Sequence, residues 1–300
     1  MWVKAGSAFL GIALATLVLA AARSAAVAAD TPRWIVFSAH PEGSGRAQLF
    51  RIQTTGEGLH QITKGRLPAT APAFSPNGNR LVFVRLGSGI FTVKLDGSGL
   101  RRLTSGTRDS YPTWSRDGRR IAFVRPYRGQ WRLYVMSASG TKLRRLAQAP
   151  PAGRPTWTAE GKAILIPAAG DLYRVDARSG KILKYYGLTL DIQTAQTATL
   201  SPNRRMIAYV GPRVSTGPDD CGEGPCPQYG LYLANVAKPH RARRIVNDTG
   251  PADWSPDGKT LAFVSRGVLT LWALASKQRT DIATGPHVPT GDAPPAWQPR

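Results

Sequence analysis

An eleven-residue phrase recurs along this chain, and a chain assembled from copies of one phrase folds as a stack or ring of like units. The phrase reads Trp-Ser-Pro-Asp-Gly-Lys-Thr-Leu-Ala-Phe-Val at 254–264. It returns as FSPNGNRLVFV at 74–84, WSRDGRRIAFV at 114–124, WTAEGKAILIP at 157–167 and LSPNRRMIAYV at 200–210. A truncated copy, Trp297-Gln298-Pro299-Arg300, ends the sequence. Successive copies lie roughly 40 to 54 residues apart, the period of a supersecondary unit that buries its apolar faces against its neighbours.

Within a copy, an aromatic closes a short first strand and Ser-Pro-Asp-Gly turns the chain. Pro presets the dihedral of the second position, Asp or Asn suits the third, and Gly accepts a positive φ. Such a turn joins antiparallel neighbours. The second strands, such as Leu-Val-Phe-Val at 81–84 and Ile-Ala-Phe-Val at 121–124, are continuously apolar, as burial on both faces demands. A third set alternates, as in Ile90-Phe91-Thr92-Val93. The fourth is short and polar: Arg101-Arg102-Leu103-Thr104, Arg144-Arg145-Leu146, Arg243-Arg244-Ile245-Val246.

Four antiparallel strands per unit, apolar within and basic without, spell an all-β propeller blade. Trp34 begins with a second strand that lacks a first, while Trp297 supplies a first strand with nothing after it. The expected fold is a six-bladed β-propeller of four-stranded antiparallel blades, closed by pairing of the N- and C-terminal strands in one blade. The paired arginines of the fourth strands read as guards against edge pairing, with an anion site as the alternative. In the fifth copy Asn203-Arg204 replaces Asp-Gly, so Asn203 is expected to adopt the left-handed conformation itself.

Residues 1–29 read as a secretory signal peptide: Lys4 in a short n-region, an Ala-rich apolar run over 5–22, and Val27-Ala28-Ala29 before Asp30. An uncleaved N-terminal anchor is the alternative, and the only route to a membrane. The propeller is assigned to 30–300. Removing 1–29 deletes Lys4 and Arg23 and no acid, so the net charge falls from +22 to +20. A body this basic favours an anionic envelope polymer or an envelope protein as partner rather than nucleic acid, which an exported chain seldom meets. Cys221 and Cys226 bracket Gly-Glu-Gly-Pro in a long insertion over 211–230. In an oxidising compartment they are expected to close a small disulfide.

At these phrases the sequence resembles the β-propeller repeats of the TolB family, whose units read like Pro-x-Trp-Ser-Pro-Asp-Gly-Lys-x-Ile-Ala-Phe followed by Ile-Tyr-Val and Arg-Arg-Leu-Thr. The resemblance is to the propeller part, without the N-terminal α/β domain of TolB. It implies a protein-binding role in the periplasm or cell envelope, although one scaffold hosts many roles.

Chemistry-bearing motifs are sparse. No phosphate loop, His-Glu-x-x-His pair, zinc-spaced Cys/His set or Gly-x-Ser-x-Gly elbow occurs. No catalytic residue and no metal ligand set is assigned. His60 and His240 read as surface, whereas His40 and His287 fall on loops of the inter-blade face. Asp109, Asp191, Asp248 and Asp292 each precede a first strand, with Asp219, Asp220 and Glu223 of the insertion nearby. The expectation is a locally negative channel mouth suited to a basic peptide or to calcium, with turn capping as the plainer role. Tyr111, Tyr127 and Trp131 are candidate anchors, since Tyr and Trp join apolar area to a polar tip; packing between blades is the alternative. The candidate binding set is therefore Asp109, Tyr111, Tyr127, Trp131, Asp191, Asp248, His287 and Asp292. The expected function is that of an exported, monomeric, non-enzymatic propeller binding a protein or other macromolecule of the cell envelope through its inter-blade loops. The alternatives are a lyase- or lactonase-type propeller enzyme and a carbohydrate-binding module.

Overall fold

A computed structural model describes residues 33–147, 153–158, 160–168, 171–186, 198–212, 229–247 and 249–299. The signal segment, the insertion acids, both cysteines, Asp191 and Asp248 lie outside the described residues. In chain order the strands are β1 (Trp34–His40), β2 (Gln48–Gln53) and β3 (His60–Gln61); β4 (Ala69–Phe74), β5 (Arg80–Arg85), β6 (Gly89–Lys94) and β7 (Arg101–Arg102); and β8 (Ser110–Trp114), β9 (Arg120–Tyr127), β10 (Gln130–Ser137) and β11 (Arg144–Ala147). There follow β12 (Thr156–Trp157), β13 (Ala163–Ala168), β14 (Asp171–Asp176) and β15 (Ile182–Tyr185); β16 (Ala198–Leu200), β17 (Met206–Pro212), β18 (Tyr229–Asn235) and β19 (Lys238–Asn247); β20 (Asp253–Trp254), β21 (Thr260–Ser265), β22 (Val268–Ala273) and β23 (Arg279–Ile282); and finally β24 (Val288–Pro289) and β25 (Ala296–Trp297).

These strands form six antiparallel sheets, the blades I to VI of a propeller. Blade I is the composite that the truncated last phrase implies. Ile35 faces Trp297 and Val36 faces Ala296 across β1 and β25, while β24 pairs with the far end of β1 through Ala39 and His40. Gln298 N–H donates to the Trp34 carbonyl at 2.9 Å, and Thr290 N–H to that of Ser38 at 2.8 Å. The last segment of the chain thus supplies the innermost strand of the first blade, and the ring has no open edge at this junction.

The recurring turn is knotted by its serine. Ser115 Oγ accepts the Arg120 N–H at 2.9 Å and donates to Asp117 at 2.6 Å, and Ser75, Ser201 and Ser255 repeat the arrangement with Asn77, Asn203 and Asp257. In the fifth copy Arg204, at the glycine position, takes the left-handed conformation with φ 59°. This corrects the expectation for Asn203. Its side chain instead accepts from Ser201 and from the Arg205 N–H, which holds it in the ordinary third-position geometry and passes the strain one residue on.

Blades adhere in two ways. Every junction between neighbours holds its own apolar cluster: I with II, II with III, and so on round to VI with I. Phe37, Phe83, Phe123 and Phe263 of the second strands are fully buried, each worth about 1.5–3 kcal/mol relative to exposure. The aromatic that closes the inner strand adds a polar stitch. The indole N–H of Trp157 donates to the Thr113 carbonyl, that of Trp254 to Thr199 and that of Trp297 to Asp253, in each case across to the preceding blade.

The arginine pairs of the outer strands are stitches too. The first member reaches the next blade, Arg101 to the Ser139 carbonyl at 3.0 Å and Arg144 to that of Ala177 at 3.4 Å. The second turns onto its own blade's rings, as Arg102 does over Phe91. His60 lies on outer strand β3, and His240 falls within β19 rather than beside a turn.

Candidate functional site at the inter-blade mouth

In an antiparallel blade the connections between blades and the hairpins joining second to third strands emerge on one face of the ring, and the serine-knotted turns on the other. On the inter-blade face a cavity of about 320 Å³ is lined by residues that include His40, Thr70, Ala71, Ser110, Tyr111 and Asp292. Two of the sequence candidates, Tyr111 and Asp292, therefore meet here with His40.

The backbone at this mouth is bent by design. Ala71 (φ 53°) and Tyr111 (φ 52°) occupy the left-handed region, where an L-residue carries about 1–2 kcal/mol of strain. Each sits in a register shift of its inner strand, between Thr70 and Ala73 in β4 and between Ser110 and Thr113 in β8. Each also precedes a proline, whose ring disfavours helical conformations just before it. Bulges of this kind re-aim a side chain, and here they set the Tyr111 ring against Ala71, Val84 and Ala293 at the channel rim. Burial pushes the Tyr111 phenol above the usual tyrosine range, and the nearby Asp292 carboxylate pushes it further.

The other candidates are placed differently. Asp109 is committed to the protein: its side chain has no exposure and accepts from Arg125 Nε at 2.5 Å and Nη2 at 2.8 Å, as well as from the Thr104 hydroxyl. The Arg125 guanidinium is in turn raised above its ordinary pKa, chiefly by the hydrogen bonds to Asp109. A carboxylate buried on so basic a chain is claimed by the nearest guanidinium. Among the described residues the mouth's only sequence-predicted acid is then Asp292, and no group of three His, Cys, Asp or Glu side chains assembles there or elsewhere to hold a metal ion. Calcium requires six to eight oxygens.

His287 is not among the residues that line the cavity with His40. Its ring packs on Phe50, 4.5 Å between centroids, with Nδ1 buried and without a partner. Tyr127 and Trp131 both lie on the hairpin of β9 and β10, but Tyr127 is paired with Gln130 and Trp131 with Pro126, so the two rings project from opposite faces. Arg145 stacks over Tyr127 at 4.4 Å and Arg108 over Trp131 at 5.9 Å.

A feature that the sequence reading passed over lies at the other end of the channel. There a cavity of about 530 Å³ holds Arg154 and Asp253, whose side chains approach to 3.5 Å from blades IV and VI. Burial raises the Asp253 carboxyl above the usual range, with the Arg154 charge opposing that shift. The signal was available: other copies carry Ala or Thr just before the closing aromatic, as at Ala73, Thr113, Thr156 and Ala296, and only the sixth carries an acid.

The TolB beta propeller domain family matches residues 30–216. Over 109 residues the chain is 29% identical to Uncharacterized protein Atu1656 of Agrobacterium fabrum (strain C58 / ATCC 33970), covering 31% of this chain and 36% of that relative. The chain thus spans little more than a third of the curated relative's length. Among solved structures it is similar to TolB from Acinetobacter baumannii, with a TM-score of 0.71 at 19% identity over 89% of this chain and 67% of that one. It is also similar to a chain of a nidogen/laminin complex, with a TM-score of 0.62 at 11% identity over 89% and 98%. At such identities the structural likeness speaks to fold alone. With the family match extending over more than half of the sequence, the chain belongs to the TolB beta propeller domain family.

Proposed function

We propose that this chain is an exported, non-enzymatic propeller that acts as a monomer and binds a protein of the cell envelope through its inter-blade face. Residues 1–29 direct export as a signal peptide, and 30–300 form the binding body. The observation that supports this reading most is the pair of bulged inner strands, β4 and β8, beside one cavity of the inter-blade face. There the strained Ala71 and Tyr111 line a mouth shared with Asp292, and the β9–β10 hairpin presents Tyr127 at 40% exposure between Arg128 and Arg145. Tyr and Arg dominate interface hot spots. Loops held on a rigid ring lose little freedom on binding, and a strongly basic body steers anionic partners toward it.

Placing a photoreactive residue at Tyr111 or Asp292 in intact cells, then identifying the captured protein, tests the reading. One envelope protein captured from both positions is expected. Recovery of the chain in the cytoplasmic fraction, or turnover of a lactone or glycan substrate by the purified chain, would overturn it.

A further inference from the structure

The face of blade III that looks toward blade II carries a file of alternating rings and guanidiniums. Phe123, Arg125 and Tyr127 alternate along β9 and share one side of the sheet. Across the register, Tyr134 stands opposite Phe123, Arg132 opposite Arg125 and Gln130 opposite Tyr127, and Arg145 of β11 lies opposite Tyr134. The inner end of this file is neutralised, because Arg125 stacks over Phe123 and Tyr134 at 5.2 and 5.3 Å and is claimed by Asp109. The outer end is not. Arg145 and Arg128 lie over the Tyr127 ring at 4.4 and 5.5 Å, and neither is in an ion pair among the described residues. Among the described residues Arg132 donates to neutral acceptors, the Gln130 side chain and the Trp131 carbonyl.

Arg132 stands opposite Arg125, but Asp109 balances only Arg125, and a second guanidinium at the opposed position is left without a carboxylate among the described residues. The tip adds strain: Arg128 (φ 49°) and Gly129 (φ 77°) make a hairpin turn in which Arg occupies a site suited to Asn or Gly. Strain and uncompensated charge therefore coincide at one exposed hairpin end.

We propose that this outer end is the docking site for an extended acidic segment of a protein partner. Arg128, Arg132 and Arg145 would take carboxylates on alternate residues, and Tyr127 would supply the apolar contact. The proposal rests on the inter-blade face being the binding face and specifies the chemistry of what binds there. A guanidinium laid flat on a ring keeps its N–H edge outward, the geometry that grips a carboxylate with two hydrogen bonds. Alternate residues of an extended strand present their side chains to one side, so the carboxylates of such a segment would all face this cluster. A narrow file climbing one side of a sheet fits a single strand-like segment better than a flat lipid surface.

The test is titration of the purified full chain with a labelled eight-residue peptide of alternating Glu and Val, read by fluorescence anisotropy. The Gln–Val peptide and phosphatidylglycerol vesicles serve as comparison probes. Binding of the Glu peptide alone is expected, weakened about tenfold or more by the pair Arg128→Gln and Arg145→Gln and likewise by Tyr127→Ala. The pair Arg119→Gln and Lys259→Gln removes equal charge from exposed sites on the turn face and is expected to leave affinity within about twofold, since remote charge acts mainly through screened long-range attraction. Equal weakening by both pairs, tighter binding to vesicles, or no binding of the Glu peptide would each overturn the proposal. Failure here with cellular crosslinks still mapping to the inter-blade face defeats the acidic-segment assignment alone. Crosslinks mapping to the turn face defeat the wider reading, whatever the peptide does.

Discussion

Blades II and III are written in nearly the same phrase and solve the same problem in two ways. Each stacks a pair of rings, Phe83 with Phe91 and Phe123 with Tyr134, beneath an arginine at the end of the second strand. In blade II that arginine, Arg85, is buried and donates to the Lys64 and Leu67 carbonyls at 2.9 and 3.2 Å, and burial lowers its pKa. In blade III its counterpart Arg125 acquires a carboxylate, and its pKa rises. The strands of the blade III hairpin are also longer, eight residues each against six, and the added residues include the exposed Tyr127 and, at the tip, Arg128. One repeat thus ends its second strand in an arginine held by carbonyls in blade II and in one held by a carboxylate, below an exposed and charged hairpin tip, in blade III.

The largest break in this comparison should come from Asp109→Asn, which leaves Arg125 partly buried without its carboxylate and should cost about 3 kcal/mol. Arg85→Met removes a cation that has no carboxylate among the described residues and strands the Lys64 carbonyl, while that of Leu67 still accepts from Gln48, so it should cost about 1 kcal/mol. Urea midpoints of the two variants at neutral pH give the difference.

Ser75→Ala and Ser115→Ala unknot the equivalent turns of the two blades, and each should cost about 1–2 kcal/mol. Equality of the pair in calorimetric melts would confine the divergence of the blades to the opposite face.

Titration sharpens the contrast at the mouth, where blade II offers Ala71 and blade III Tyr111. The Tyr111 phenol is raised first by burial and then by Asp292. A raised folded-state value means that its contribution to stability is whole below the unfolded value of about 10 and is lost as pH climbs through the folded one. Asp292→Asn should bring the phenolate absorbance transition down part of the way toward the ordinary value, leaving the part due to burial.

The smallest expected effect is Ala71→Gly, which relieves a left-handed alanine and should stabilise by up to about 1 kcal/mol after the entropy of the added glycine. Tyr111→Gly at the matching position forfeits the ring packing and should destabilise.

The architecture was legible because it is periodic. The closing strand was read from Trp297, the turns from Ser-Pro-Asp-Gly, and both are local signals. What escaped depends on residues that meet across the ring or the sheet. Asp109 reads as a mouth acid because nothing in its neighbourhood announces Arg125, 16 residues away. Arg154 and Asp253 lie 99 residues apart and meet only because the ring closes. Tyr127 and Trp131 lie four residues apart in the sequence, but the two-residue hairpin turn puts them on opposite faces of the sheet. Arg204 rather than Asn203 bears the turn strain because the side chain of Asn203 is already engaged.

The claim that the inter-blade face is the working surface is tested most directly by hydrogen exchange of the propeller with and without its captured envelope partner. The account predicts slowed exchange at the ends and tip of the β9–β10 hairpin, around Tyr127 to Trp131, and at the mouth near Tyr111, with the turns at Asn77, Asp117 and Asp257 unchanged. Protection confined to those serine-knotted turns, or spread evenly over both faces, would contradict it.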